Sequence, residues 1–201
     1  MGASQQQKAQ NYQRLIAIAA KAFRRKGLDG LSVPELMKSA GLTHGGFYRH
    51  FASRDELVAE ALDRAFDDAR VDLFEELRPD AAGSLLPRFI ETYLSQHHRD
   101  NPGRGCVLAS LSSDVQRSSK GARNVYTRRF KRYIREIKEL MRDDGDEEKA
   151  MALLSLMAGS VIISRALSDD ALAKSVLDAS FKLANEAAGA SKNKSATRAG
   201  R

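Results

Sequence analysis

Cysteine occurs once in this chain, as Cys106, so no disulfide framework can form within it. Tryptophan is absent and proline occurs only four times among 201 residues. Little therefore interrupts the helix propensity of an Ala-, Leu-, Arg- and Glu-rich sequence. The expected fold is all-α, about nine helices in one or two soluble domains. No G-x-S-x-G, H-E-x-x-H, P-loop or paired-cysteine spacing is present, so the chain is not read as an enzyme. No apolar segment follows the polar stretch Ser4–Gln10, and with a single cysteine this points to the cytoplasm. The longest uncharged run, Ala150 to Ser164, has 15 residues and falls short of the roughly 20 that a bilayer requires. No membrane is expected among the partners.

Acidic residues are scarce at both ends. Residues 1–53 carry eight Lys or Arg against Asp29 and Glu35, a net +6, and residues 189–201 carry four cations and no acid. The whole chain is +7, so the middle is net −3. Basic character gathered at the ends would meet a polyanion; a solvated basic face is the bland alternative.

Tyr12, Leu15, Ile16, Ala19, Ala20 and Phe23 recur at helical spacing, and Gly27 stops that helix. Ser32-Val33-Pro34-Glu35 is a capping box that opens a second helix, in which Val33, Leu36, Met37 and Ala40 face inward. Gly41 breaks it, and Thr43 is placed to cap a third. Ser53-Arg54-Asp55-Glu56 is another capping box, opening a long helix to about Leu77. Two helices about a short glycine turn make a helix-turn-helix. The stretch "LTHGGFYRHF" (Leu42–Phe51) gives up roughly 2 kcal/mol of propensity at Gly45 and Gly46. A recognition helix that must bring its backbone against bases or phosphates explains that loss, with Phe47 and Phe51 as anchors and Tyr48, Arg49 and His50 toward phosphates. A tight internal helix contact is the alternative.

The stretch "LSVPELMKSAGLTHGGFYRHFASRDELVAEAL" resembles the N-terminal helix-turn-helix of the TetR/AcrR family of bacterial transcriptional regulators. It keeps the spacing of A-G-L-T, G-x-x-Y-x-H-F and S-x-x-E-L, departing at Met37, Gly46 and Arg54. The resemblance implies that Thr43, His44 and Gly45 lie at base edges and that Tyr48 and His50 lie on phosphates. Ser32 and Arg54 would clamp the backbone to either side. It further implies a ligand-responsive repressor that binds a palindromic operator on double-stranded DNA as a homodimer. A constitutive DNA-binding protein without ligand sensing is the alternative.

The expected division is residues 1–53 as the DNA-binding domain, 54–188 as a helical ligand-binding and dimerisation domain, and 189–201 as a disordered basic tail. Pro79, Gly83, Pro87 and Asn101-Pro102-Gly103 divide the second part into helices at about 84–99, 105–115, 119–142, 147–167 and 169–188. The apolar run at 150–164 and Leu172, Val176, Leu177, Phe181 and Ala184 mark the last two helices as a dimer face, as the resemblance also implies. Phe66, Phe89, Tyr93, Cys106, Tyr126 and Phe130 are candidates for a small-molecule effector site, with ordinary core as the alternative. Cys106, near a helix start and beside Arg104, is either a reactive thiol or a buried inert one. His97, His98, Asp100 and Cys106 could be assembled into a metal site, but adjacent histidines point in different directions on a helix, and neither a metal nor a cofactor is expected. The cation-rich helix at 119–142 reads as a solvated helix rather than a second nucleic-acid surface or a membrane-surface helix.

Overall fold

The computed structural model describes residues 4–74, 77, 85–141 and 146–189, and among these it contains ten helices and no strand. In order they are α1 (Gln5–Lys26), α2 (Val33–Ser39), a 3₁₀ helix (His44–Arg49), α3 (Arg54–Phe74), α4 (Leu85–Tyr93), α5 (Gln96–Asp100), α6 (Val107–Val115), α7 (Lys120–Met141), α8 (Glu147–Ala166) and α9 (Asp170–Gly189). The basic tail beyond Gly189 lies outside the described residues.

Two compact units result. One combines the chain up to Arg70 with Pro102–Arg129; the other combines Val71–Asn101 with the chain from Phe130 onward. Helices α3 and α7 contribute residues to both.

In the first unit, α1 buries Leu15, Ile16, Ala19, Ala20 and Phe23 along one stripe and ends at Gly27, whose φ of 79° favours glycine. The Ser32 capping box is complete: the hydroxyl accepts the Glu35 amide, and the Glu35 carboxylate accepts the Ser32 amide. At the far end of α2, Gly41 adopts φ 69° while its amide bonds Lys38 O and the Leu42 amide bonds Met37 O. This Schellman arrangement turns the chain toward the next segment. Before α3, Ser53 caps the Glu56 amide, but the Glu56 carboxylate reaches Ala52 N, one residue earlier than the capping box predicts.

In the second unit the helix expected at 84–99 is two. The Ser95 hydroxyl donates to Thr92 O and accepts the amide of His98, so it closes α4 and caps α5; this is the competition between short polar side chains and the helix ladder. His98 is buried with Nδ1 2.5 Å from Tyr93 O, and burial pushes its imidazole down to about 4. Arg165 of α8 donates to the carbonyls of His98 and Arg99. By length and composition α8 is long and apolar enough to cross a membrane, and 44% of that apolar window is buried within the protein. It packs on α9, where the Ser160 hydroxyl donates to Ser180, and it buries Leu153, Leu154, Met157 and Val161. Ile162 and Ile163 of α8, and Leu172, Phe181 and Leu183 of α9, remain exposed. Leu177 and Ala184, grouped with Leu172 and Phe181 by sequence, instead face inward.

Candidate nucleic-acid interface

Residues 44–49 form a 3₁₀ helix of six residues rather than the α-helix the capping pattern predicts. The segment is short and opens on His44 and two glycines, too little propensity to sustain an α-helical turn. Thr43 occupies the N-cap position in an extended conformation, but its hydroxyl makes no cap hydrogen bond; only its carbonyl is used, accepting the Gly46 amide at 2.9 Å. The Thr43 side chain is therefore not consumed by the fold at the helix start.

What fixes this segment is aromatic packing beneath it. Phe47 and Phe51 are each 1% exposed, with ring centroids 5.5 Å apart, and Phe51 stacks on Tyr12 of α1 at 5.0 Å. Tyr48 meets the edge of Phe47 yet stays 74% exposed, an unusual cost for a large ring with no internal role. Thr43, His44, Gly45 and Arg49 are exposed beside it. Burial, reinforced by the charges of Lys8 and Arg49, holds His50 below its ordinary value. Its Nδ1 is enclosed without a hydrogen-bond partner among the described residues.

The two glycines serve different ends. A Cβ at Gly46 would stand 3.3 Å from Met37 Cε, a tight contact that the methionine must yield to by a few tenths of an ångström. A Cβ at Gly45 would meet nothing within 4 Å, and its φ is not in the left-handed region. Neither backbone strain nor internal packing accounts for the bare backbone at Gly45, which faces outward. Internal contact thus bears on Gly46 and not on Gly45.

The two outer positions are engaged within the protein. The Ser32 hydroxyl donates to Glu35 Oε2 at 2.6 Å, and that bond, with the Ser32 amide, holds the Glu35 carboxyl below its ordinary value. Arg54 donates to Leu28 O at 2.7 Å and pairs with Asp29 at 3.2 Å. Asp114 of α6 accepts the Leu28 amide at 3.1 Å, so the Leu28 residue is gripped at both its N–H and its carbonyl. No local sequence signal marks that staple, since Leu28 and Asp114 stand 86 positions apart.

The candidate effector residues divide between the units. Phe66 meets Tyr126 edge-on at 5.8 Å, and the Tyr126 hydroxyl bonds Ser112 at 2.6 Å. Burial raises the Tyr126 phenol above its ordinary value against that bond, with Cys106 acting in the same sense. Cys106 sits at the N-cap of α6 and is 1% exposed. Phe89 and Tyr93 belong to the other unit, where Phe89 stacks on Phe74 at 5.0 Å; Phe130 belongs there too. A polar cleft of about 430 Å³, which the sequence did not signal, opens in the first unit between Asp29, Arg54, Asp55, Asp114, Arg117 and Ser119.

The family profile described as "Bacterial regulatory proteins, tetR family" matches residues 15–61, which covers the second half of α1, α2, the 3₁₀ helix and the start of α3. The HTH-type transcriptional repressor DhaR of Mycobacterium sp. (strain GP1) is 23% identical over 124 residues, 61% of either chain. The HTH-type transcriptional repressor NemR of Escherichia coli (strain K12) is 29% identical over 122 residues, 55% of this chain and 61% of that one. The matched region thus spans about three-fifths of these relatives. The crystal structure of E. coli NemR in its reduced form superposes with a TM-score of 0.69 at 20% identity, covering 87% of this chain and 95% of that chain.

Proposed function

Because this chain belongs to the TetR family of bacterial regulatory proteins, we propose that it is a cytoplasmic, DNA-binding transcriptional repressor rather than an enzyme. The observation that carries the reading is the outward strip Thr43, His44, Gly45 and Tyr48, held rigidly from below by Phe47 yet given no work within the fold. Residues 1–53 read DNA in this proposal, and residues 54–188 serve effector binding and dimerisation. The exposed apolar residues Ile162, Ile163, Leu172, Phe181 and Leu183 on the neighbouring helices α8 and α9 support a homodimer through that face. Two recognition segments about 34 Å apart then read the halves of an inverted repeat.

Selection from a random DNA pool is expected to return such a repeat. His44→Ala should change which bases are selected, whereas Tyr48→Phe should weaken all sequences alike, since a phosphate contact carries no base information. Relaxed specificity in Tyr48→Phe with unchanged preference in His44→Ala would reverse the assignment of the two side chains.

Ligand response completes the proposal. Phe66, Tyr126 and Ser112 offer aromatic surface with a hydroxyl pair, suited to a lipophilic aromatic effector. Phe66 rides on α3, which begins directly after the Ser53 cap behind Phe51, so displacing that ring acts on the helix that supports the reading strip. An effector preferring the DNA-incompetent arrangement 100-fold would contribute about 2.7 kcal/mol against operator binding. The burial of Cys106 favours this reversible site over covalent capture. Cys106→Ser is accordingly expected to keep its release from DNA by aromatic compounds. Loss of release confined to thiol-reactive compounds would identify an electrophile sensor instead.

A further inference from the structure

Helix α7 has an abundance of cations that the fold uses unequally. Arg128 and Arg129 pair with Asp63 and Asp67, and Arg132 pairs with Glu136. Lys120, Arg123, Lys131 and Arg135 are exposed and have no carboxylate within ion-pair distance among the described residues. Lys120, Asn124, Thr127, Lys131 and Arg135 recur at intervals of four, three, four and four, which is one stripe of a helix. That stripe runs roughly 22 Å, and Arg123 flanks it.

Two further features separate it from an ordinary solvated face. The first turn of α7 contains no acid, so Lys120 and Arg123 stand at the positive end of the helix dipole, an arrangement that an external anion relieves. No apolar side chain is exposed anywhere along the helix: Val125, Ile134, Ile137 and Met141 all face inward. A helix that lies on a lipid surface needs apolar residues beside its cations; this face offers cations with the polar Asn124 and Thr127 between them, up to Glu139 one turn past Arg135. A stripe of this length matches a duplex, which presents about one phosphate per 1.7 Å of its axis.

We propose that the exposed face of α7 is a second DNA-contact surface, binding phosphate backbone without regard to sequence. It extends the DNA-binding reading, but it concerns other residues and is tested separately. The variant K120Q/R123Q/K131Q/R135Q is compared with the parent for affinity against salt, on both the selected operator and a random-sequence duplex. Helicity by circular dichroism serves as the check on folding. The expected result is a log–log salt slope shallower by about two or more, at the usual 0.9 per lost phosphate contact, on both duplexes and with base preference intact. The charge-preserving variant K120R/R123K/K131R/R135K should keep the parent slope. Identical slopes for parent and glutamine variant would overturn the proposal. So would an unchanged DNA slope accompanied by lost binding to phosphatidylserine vesicles, which would make the face a membrane surface. A parent that prefers no sequence would refute the role of the reading strip while leaving the comparison on random duplex decisive.

Discussion

Phe47→Ala is expected to destabilise the protein by about 3–4 kcal/mol and to lower its melting temperature by roughly 10 °C. The ring is 1% exposed, touches Phe51 and Tyr48, and is the sole buried residue of the 3₁₀ helix. Its loss leaves a cavity under a segment that has little propensity to order itself. Tyr48→Ala, one position along, removes a ring that is 74% exposed and should change stability by no more than about 0.5 kcal/mol. Thermal unfolding of the two variants makes the comparison. On the proposed function, DNA affinity should fall in both, in the first because the strip is no longer held and in the second because the proposed phosphate contact is lost. A cost below about 1 kcal/mol for Phe47→Ala would mean that α2 and α3 close over the gap, and that the strip is ordered by something other than this ring.

The next largest effect is expected at Arg129. Its side chain is 11% exposed, and the guanidinium takes Asp63 Oδ1 and Asp67 Oδ1 each at 2.6 Å, Asp67 Oδ2 at 2.8 Å, and the Asp63 carbonyl at 3.2 Å. It thereby fastens α7 to α3 with a planar fork that lysine cannot reproduce. Arg129→Ala leaves Asp63, a partly buried carboxylate, with only the more exposed Arg128. The expected loss is about 2–3 kcal/mol, less than the roughly 3–5 of a fully buried pair because water reaches the Asp67 side. Arg129→Lys should recover part of it.

The pH dependence of this effect has a defined sign. Burial raises the Asp63 carboxyl, but Arg129 and Arg128 outweigh it and hold the group below its ordinary 3.8. A depressed folded value means that the stabilisation is complete above about 4 and is lost as the pH falls through the lower folded value. Parent and Arg129→Ala should therefore converge in stability only in acid, below about pH 4, and differ undiminished from there to neutrality. Urea unfolding across that range reads the difference, and convergence near pH 6 would assign the effect to another group.

Much of the helical punctuation was legible because its physics is local. The Ser32–Glu35 box, the stops at Gly27 and Gly41, and the buried stripe of α1 each lie within a few residues of chain. The break at Ser95 was also local but was missed: Ser within a helical run is tolerated as often as it caps, and nothing in Thr92–His98 decides which. The roles of Arg54, Asp114 and Arg129 were illegible for a different reason. Their partners lie 26, 86 and 66 positions away, and no period in the sequence encodes a pairing between side chains that only folding brings together. The exposed strip was found through the spacing of its glycines and aromatics, yet their unlike purposes became visible only when the space around each Cβ was known. Composition records that rings are present, not that Phe66 meets Tyr126 edge-on or that Phe89 stacks on Phe74.

The grip on Leu28 bears on how such a protein can be cut and recombined. Its amide is held by Asp114 and its carbonyl by Arg54, neither of which lies within the first 53 residues. A hybrid regulator joined at that boundary would inherit the turn between α1 and α2 without either hand that holds it. Portability of the reading strip between relatives therefore depends on carrying the first turn of α3 and the end of α6 with it. A recipient that supplies an acid at the position of Asp114 and a guanidinium at that of Arg54 would accept the strip in register. One that lacks them would receive the same letters in a looser hand.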